Sequence, residues 1–571
     1  MSFFNSSEKN EKRTTFITQE DPIDAHTTGE IETTELKESR HIINDGHSIN
    51  HETTHRSLSS RNMNFIAIGG TIGTALFVSI SGGLAKGGPL SLLLAYTIWT
   101  SVIFAVATCM GEMVSYLPIG SPFVQMAGRC VDDAYEFAVG FTYWIMVSTY
   151  IPFEITSVNG MIHFWRDDYS PAIVICLQIF IYTCLNCLSV KYYGASEFYL
   201  SIGKILLAFM LMMFTFVTMC GGNPKHDAFG FRYWRNPGPM AEYLSTGSMG
   251  RFHGFMACMN FSCFTIAGPD SLSMIAGECG EETRKVVARC FKTVVFRLVA
   301  FYIIGALSVG ILLAYNDPTL LTLRASGQTG NGVYSPYVIA MNNLGIKGLP
   351  QLVNALCVTS AFSAGNSFVF CSSRSLYGLA LRGHAPKALA YCTKRGVPIY
   401  CVGIAFMWAA LSLLQLGSST GQVLDWLINL CTGAQTLTFF FMACTYIGFW
   451  RACNAQNIDR SQFRYRAWGQ PYTAIYAIIM GAIMVVASGY TVFLPGNWNV
   501  GDFFTYYLSP ILALFLFICY KLIRNTKFVK PEEADLITGL AEIEEHELKW
   551  LAEQESKQTD TKASKIISWI L

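Results

Sequence analysis

The sequence predicts an all-α membrane protein of about twelve transmembrane helices, built as two inverted five-helix repeats followed by two further C-terminal helices. Three observations carry this expectation. The chain is 52% hydrophobic and only 14% charged, where soluble proteins carry about 25% charged residues. Those charges crowd into the two ends and short connecting loops, leaving long apolar stretches between them. The first and sixth stretches are both interrupted by glycine or proline, and corresponding interruptions are what two inverted repeats would carry.

Taken in order, residues 1–60 are polar, rich in Thr, Ser, Glu, Asn and His, and lack the apolar core of a cleavable signal. Too little apolar surface is available there to offset ordering, so a disordered cytoplasmic tail is expected. The first span then serves as the insertion signal. At about twenty apolar residues per crossing, spans fall near 64–84, 90–116, 136–162, 172–190, 198–220, 254–277, 293–314, 350–372, 399–417, 424–449, 473–494 and 504–523. The membrane domain is thus expected over 61–523, and 524–571 as a C-terminal tail. An even number of spans puts both tails on one side. One set of loops holds Arg129, Arg284, Lys285, Arg374, Arg382, Arg451, Arg460 and Arg464, while the opposite loops hold fewer basic residues, mostly in longer segments. The richer set shares its side with both tails, which are therefore expected in the cytoplasm. There they are candidates for recognition by trafficking or ubiquitination machinery.

A net charge of +1 and the lack of a basic tract give no footing for nucleic acid. Cysteines such as Cys109, Cys258 and Cys263 lie inside apolar stretches, and only Cys184 and Cys187 show a C-x-x-C spacing. They read as small hydrophobes, with no structural metal and no organic cofactor implied.

The interruptions are the functional signal. Gly69-Gly70-Thr71-Ile72-Gly73-Thr74-Ala75 places three glycines within five positions of the first span. Lipid offers nothing to satisfy loosened backbone, so such a break either lines a cavity or marks a close helix contact through Gly69 and Gly73. Ala267-Gly268-Pro269-Asp270 interrupts the sixth span, where a simple proline kink is the plainer reading. Two matched breaks together favour a binding site of the kind transporters build from discontinuous helices.

Ionisable residues at membrane depth are costly and therefore functional candidates. Glu154 lies deep in the third span, Lys204 in the first third of the fifth and Asp270 in the second break. Glu112 and Glu278 lie near span ends, where snorkelling is the expectation. Tyr143, Trp144, Tyr150 and Phe264 cluster beside these sites, as bundle filling or as an aromatic surface for an ammonium group.

With these residues in hand, the chain closely resembles the fungal plasma-membrane amino-acid permeases of the amino acid–polyamine–organocation superfamily. The resemblance covers roughly residues 58–545. It rests on Ile68-Gly69-Gly70-Thr71-Ile72-Gly73-Thr74-Ala75-Leu76-Phe77, Gly111-Glu112-Met113, Ala276-Gly277-Glu278 followed by Arg284-Lys285, Ser335-Pro336-Tyr337, and Ser360-Ala361-Phe362-Ser363-Ala364-Gly365-Asn366-Ser367. Within the family it looks most like the general permeases associated with carnitine and polyamine uptake. The resemblance implies the LeuT-type five-plus-five fold and proton-coupled import of amino acids, or related zwitterions and ammonium compounds, by alternating access across the plasma membrane.

It also implies roles. The substrate carboxylate would meet amides around Gly73, Thr74 and Ala75. Its ammonium would meet carbonyls near Phe264, Thr265 and Ala267, with Asp270 and Glu154 as acidic partners. Lys204 matches a lysine that takes the place of a sodium ion in similar carriers, so it would carry proton coupling. Two departures fall at this site: Ala75 stands where the family usually has Gly, and Asp270 where it usually has Glu. The Asn-Pro that usually precedes the Arg-Lys pair is replaced by Glu282-Thr283.

A nutrient sensor on a permease scaffold is the rival reading, although such sensors carry longer cytoplasmic extensions. A membrane enzyme is disfavoured, since no nucleophile–base set or metal-ligand spacing stands out.

Overall fold

Every regular element among the described residues is helical. The structure is a computed structural model that describes residue 63 and residues 73–166, 168–188, 190–325, 335–393, 396–417 and 420–570. The expected tail 1–60 and the Gly69–Ile72 half of the first break lie outside the described residues.

The first long helix, α1 (Ile80–Tyr116), is preceded by a π-helical turn over Ala75–Ser79. It turns sharply at Gly88, whose φ of 77° suits glycine, and Pro89 opens its second half. A Cβ at Gly88 would stand 2.7 Å from the Ala241 amide. The expected division between the first two spans therefore falls at this turn.

After the short α2 (Pro122–Cys130), α3 (Asp133–Ile162) starts at Asp132, whose carboxylate accepts from the Ala134 amide at 2.8 Å. Asp133 and Glu136 in the first turn complement the helix dipole. Then follow α4 (Pro171–Leu188), α5 (Val190–Met219), α6 (Gly247–Thr265) and α7 (Pro269–Ile275). The chain continues through α8 (Thr283–Arg297), a second π turn and α9 (Ile304–Leu312), then α10 (Pro336–Asn343) and α11 (Leu349–Leu381). The last members are α12 (Ile399–Ala409), α13 (Thr420–Ala455), α14 (Tyr472–Ala487), α15 (Val500–Arg524) and α16 (Leu540–Ile570).

Seven helices among the described residues are long and apolar enough to cross a membrane, and Pro171–Cys187 and Tyr472–Ala487 are apolar but shorter. Burial sorts them into centre and rim. The most apolar window of Gln422–Ala455 is 67% buried, that of Val500–Arg524 only 11%. On α15, Leu508, Ile511, Leu514, Phe515, Ile518 and Leu522 all face outward. So do Leu206, Phe209, Met213 and Phe216 on α5. Apolar faces of this extent suit a lipid surround.

At the centre, α3 packs most extensively on α11 and α13, and α1 on α6. The α1–α6 contact is a small-residue crossing, as a Cβ on Gly254 would lie 2.7 Å from the Lys86 carbonyl and 3.0 Å from Gly87. That close approach brings the two interrupted helices side by side.

Candidate functional site

The first break meets an acid from another helix. Thr74 is buried, and its hydroxyl donates to Glu154 Oε2 at 2.5 Å, while its backbone N–H also bonds that carboxylate. A Cβ at Gly73 would stand 2.8 Å from Glu154 Oε1 and 3.4 Å from Ala364 Cβ. Glycine is thus what lets the carboxylate reach the start of the helix, where free amides and the dipole favour a negative group. Ala75, half-buried, follows in the π turn. The break holds a carboxylate, as expected of a helix start, and in this structure that carboxylate is the protein's own.

Residue Tyr150 sits one turn before Glu154 on the same face of α3 and reaches the second break. There α6 ends at Thr265, Ile266 is extended, and Gly268 takes φ 149° before Pro269 opens α7. The Phe264 carbonyl accepts from the Tyr150 hydroxyl at 3.1 Å. The Ile266 carbonyl accepts from Gln435 Nε2 at 2.9 Å, and Tyr150 also bonds Gln435 Oε1. Thr265 donates to Phe261 O at 2.7 Å and accepts from the Tyr96 hydroxyl at 3.0 Å. Ala267 is half-buried. The carbonyls freed by the interruption are satisfied by side chains of α3 and α13, as buried backbone requires.

The Asp270 carboxylate turns onto its own backbone, accepting from the Gly268 amide at 3.2 Å. This bond satisfies an N–H at the start of α7. The aromatic groups divide. Tyr150 stacks on Phe264 and Phe368 with centroids 5.6 and 4.6 Å apart, and Phe153 meets Phe264 edge-on at 4.9 Å. Tyr143 packs instead against Phe123, and Trp144 against Trp408.

Lys204 is almost wholly buried and pairs with Glu197 at 3.5 Å, both on α5. Ser363 of α11 donates to both Glu197 oxygens, at 2.9 and 2.8 Å. The sequence reading missed Glu197 because the expected boundary at 198 excluded it from the span. The helix begins earlier, at Val190. The spacing of seven was the available signal, since residues two turns apart share a face.

Two acids expected to snorkel do not. The Glu112 side chain is fully buried and accepts from Arg460 at 2.5 and 2.9 Å, from the Tyr446 hydroxyl at 2.9 Å and from the Ala467 amide at 2.8 Å. Glu278 pairs with Arg374 at 3.0 Å, whose guanidinium lies 3.6 Å from the Phe370 ring centroid. Their partners come from segments distant in sequence, so burial is compensated by several charge-assisted bonds instead of by reaching water.

Residues 62–532 match the sequence model of the family described as Amino acid permease. The general amino acid permease AGP2 of Saccharomyces cerevisiae is 44% identical over 503 residues, covering 87% of this chain and 84% of the relative. The proline-specific permease of the same yeast is 36% identical, covering 88% and 81%, and its lysine-specific permease 33% identical, covering 88% and 82%. Among solved structures, a manganese transporter of Eremococcus coleocola aligns over 88% of this chain and 97% of its own, at 12% identity and a TM-score of 0.46.

Proposed function

This chain belongs to the amino acid permease family, transporters and not enzymes, and we propose that it imports amino acids by proton-coupled alternating access across a plasma membrane. Its relatives' names, general, proline-specific and lysine-specific permease, support an amino-acid substrate. We extend the substrate class to related zwitterions and ammonium compounds, carnitine and polyamines included, because Tyr150, one turn before Glu154 on α3, stacks on Phe264 and Phe368, with Phe153 edge-on to Phe264, and such an aromatic cluster suits a methylated or charged nitrogen. The reading has twelve spans in a five-plus-five inverted repeat with two added helices, and both tails in the cytoplasm.

The observation that carries it is that one face of α3 bonds both breaks, Glu154 at Thr74 and Tyr150 at Phe264. The substrate carboxylate would bind the amides around Gly73, Thr74 and Ala75, and its ammonium the carbonyls from Phe264 through Thr265 to Ala267, with Asp270 at the rim. Both positions have resident occupants. Two carboxylates cannot share one helix start without cost, so substrate entry requires Glu154 to turn away or take a proton. The ammonium likewise displaces the hydroxyl of Tyr150 or the amide of Gln435. Lys204, buried and interacting electrostatically with Glu154, is the group assigned to proton coupling.

The test is uptake by the purified full chain in proteoliposomes. A panel of labelled L-amino acids, carnitine and spermidine would be offered with and without an inward proton gradient. Gradient-driven accumulation of amino acids is expected. Binding without uptake would indicate a sensor, and uptake indifferent to the gradient would remove proton coupling.

A further inference from the structure

The group that the sequence reading did not reach has the most to say about coupling. Glu197 is fully buried, its carboxylate held by the Ser363 hydroxyl of α11, with Ser201 of its own helix at 3.4 Å. Seven residues on an α-helix rise about 10.5 Å, so the 3.5 Å ion pair needs the Lys204 stem extended along α5. Helical side chains lean toward the N-terminus, which gives it that direction. Glu154 of α3 also interacts electrostatically with the Lys204 ammonium. Lys204 therefore interacts with two buried carboxylates.

We propose that Glu197 supplies the negative charge that makes the Glu154–Lys204–Glu197 cluster take up the single proton moved with substrate. This rests on the proton-coupled reading above. The count is simple. Two carboxylates and one ammonium sum to one negative charge, which is expensive where none of the three side chains meets water. One added proton brings the cluster to neutrality. Without Glu197, the substrate-free pair of Glu154 and Lys204 is already neutral, so the cluster itself adds no demand for a proton to that of substrate entry. Tyr182 of α4 and Cys371 of α11 also interact with Glu197. Neither adds a formal charge in its ordinary neutral form, and α9, which also packs on α5, has no ionisable side chain. The proton enters from the outer solution onto one of the two carboxylates and leaves to the inner solution, with no bond other than that to hydrogen made or broken. Ser363 ties this charge to α11, so a shift of α5 against α11 would alter how the cluster holds it.

The experiment compares wild type with Glu197→Gln in proteoliposomes, using a mixture of radiolabelled L-amino acids. Two quantities are read, accumulation driven by an inward proton gradient and counterflow exchange at equal pH. Their ratio corrects for partial loss of folded protein. The ratio should fall about tenfold or more in Glu197→Gln, the scale on which a neighbouring charge alters proton binding. A ratio equal to that of a gradient-coupled wild type overturns the role of Glu197 and leaves the proton-coupled reading standing. A wild type indifferent to the gradient overturns both. If Glu197→Gln loses counterflow as well, Glu197→Asp decides, because it keeps the charge. Restored gradient-driven accumulation supports the charge count, and none overturns it.

Discussion

At position 73, what matters is distance. A methyl there would sit 2.8 Å from Glu154 Oε1, the movable end of a long side chain, and 3.4 Å from Ala364 Cβ on α11. Gly73→Ala can be absorbed by a small turn of the carboxylate, so uptake should fall yet stay measurable. Gly73→Val adds branches that the α11 side cannot yield to, and overpacking of this kind costs about 1–3 kcal/mol. Uptake should then drop by about ten- to a hundredfold while the protein still reaches the membrane, as surface labelling beside transport assays would show. Equal transport by both variants would mean that the glycine serves helix packing alone. The need for a small residue here was legible in the sequence, because few other reasons put so many glycines in a span. The partner was not, since Glu154 is eighty-one positions away on another helix and only the tertiary packing brings it near. Asp270 shows the opposite case. Expected as an acidic partner of the substrate ammonium, it accepts from the Gly268 amide, a bond to its own backbone two positions away.

Among the elements, the C-terminal segment differs most from its expected character as a tail. The Val529 amide donates to the Val131 carbonyl at 2.9 Å, and Gln456 Nε2 donates to the carbonyls of Pro531 and Ala534 at 3.1 and 2.7 Å. Arg129 donates to the Thr538 carbonyl at 2.8 Å, and Glu547 accepts from the Arg284 amide at 2.8 Å. Leu536 and Ile543 are buried to 1% and 0% exposure. The segment thus straps α2, α8 and the end of α13 together. Sequence reading could not see this, because the apolar residues scattered among the many charges of 529–547 make no amphipathic stripe of their own. They become buried only against surfaces that the rest of the chain supplies. Leu536→Ala should loosen the strap locally. A buried leucine truncated to alanine loses about 2–5 kcal/mol, and here the loss falls on an element able to open by itself. Hydrogen exchange of the 529–547 amides should therefore quicken by about thirtyfold or more, with α3 and α11 protected as before. Uniform loss of protection across the bundle would show the strap to be part of one cooperative core.

Over the whole molecule, the order of helices was readable because each span announces itself by about twenty apolar residues, and α3, α4, α11, α13 and α15 fall where expected. Glu154, Glu197 and Lys204 share one neighbourhood through three different helices, α3 and α5 directly and α11 through Ser363. No local pattern encodes such a meeting. The sidedness of the chain can be checked independently of any substrate. The proposed twelve crossings would return the chain to its starting side, and by charge the loops bearing Arg129, Arg284, Arg374 and Arg460 are assigned to the side of the tails. The strap adds a constraint of its own, because residues 529–547 bond Arg129, Val131, Arg284 and Gln456. Whatever side the C-terminal segment occupies, those four residues occupy it too. Epitope tags at the two ends should therefore both be masked in intact cells and both reached by antibody after permeabilisation. A cysteine-reactive, membrane-impermeant label should find position 284 only after permeabilisation, in an Arg284→Cys variant. A tag exposed at one end alone would make the number of crossings odd and break the five-plus-five-plus-two arrangement. Both tags exposed would instead keep the count and invert the orientation, placing the Glu112 and Glu278 ion pairs at the outer face.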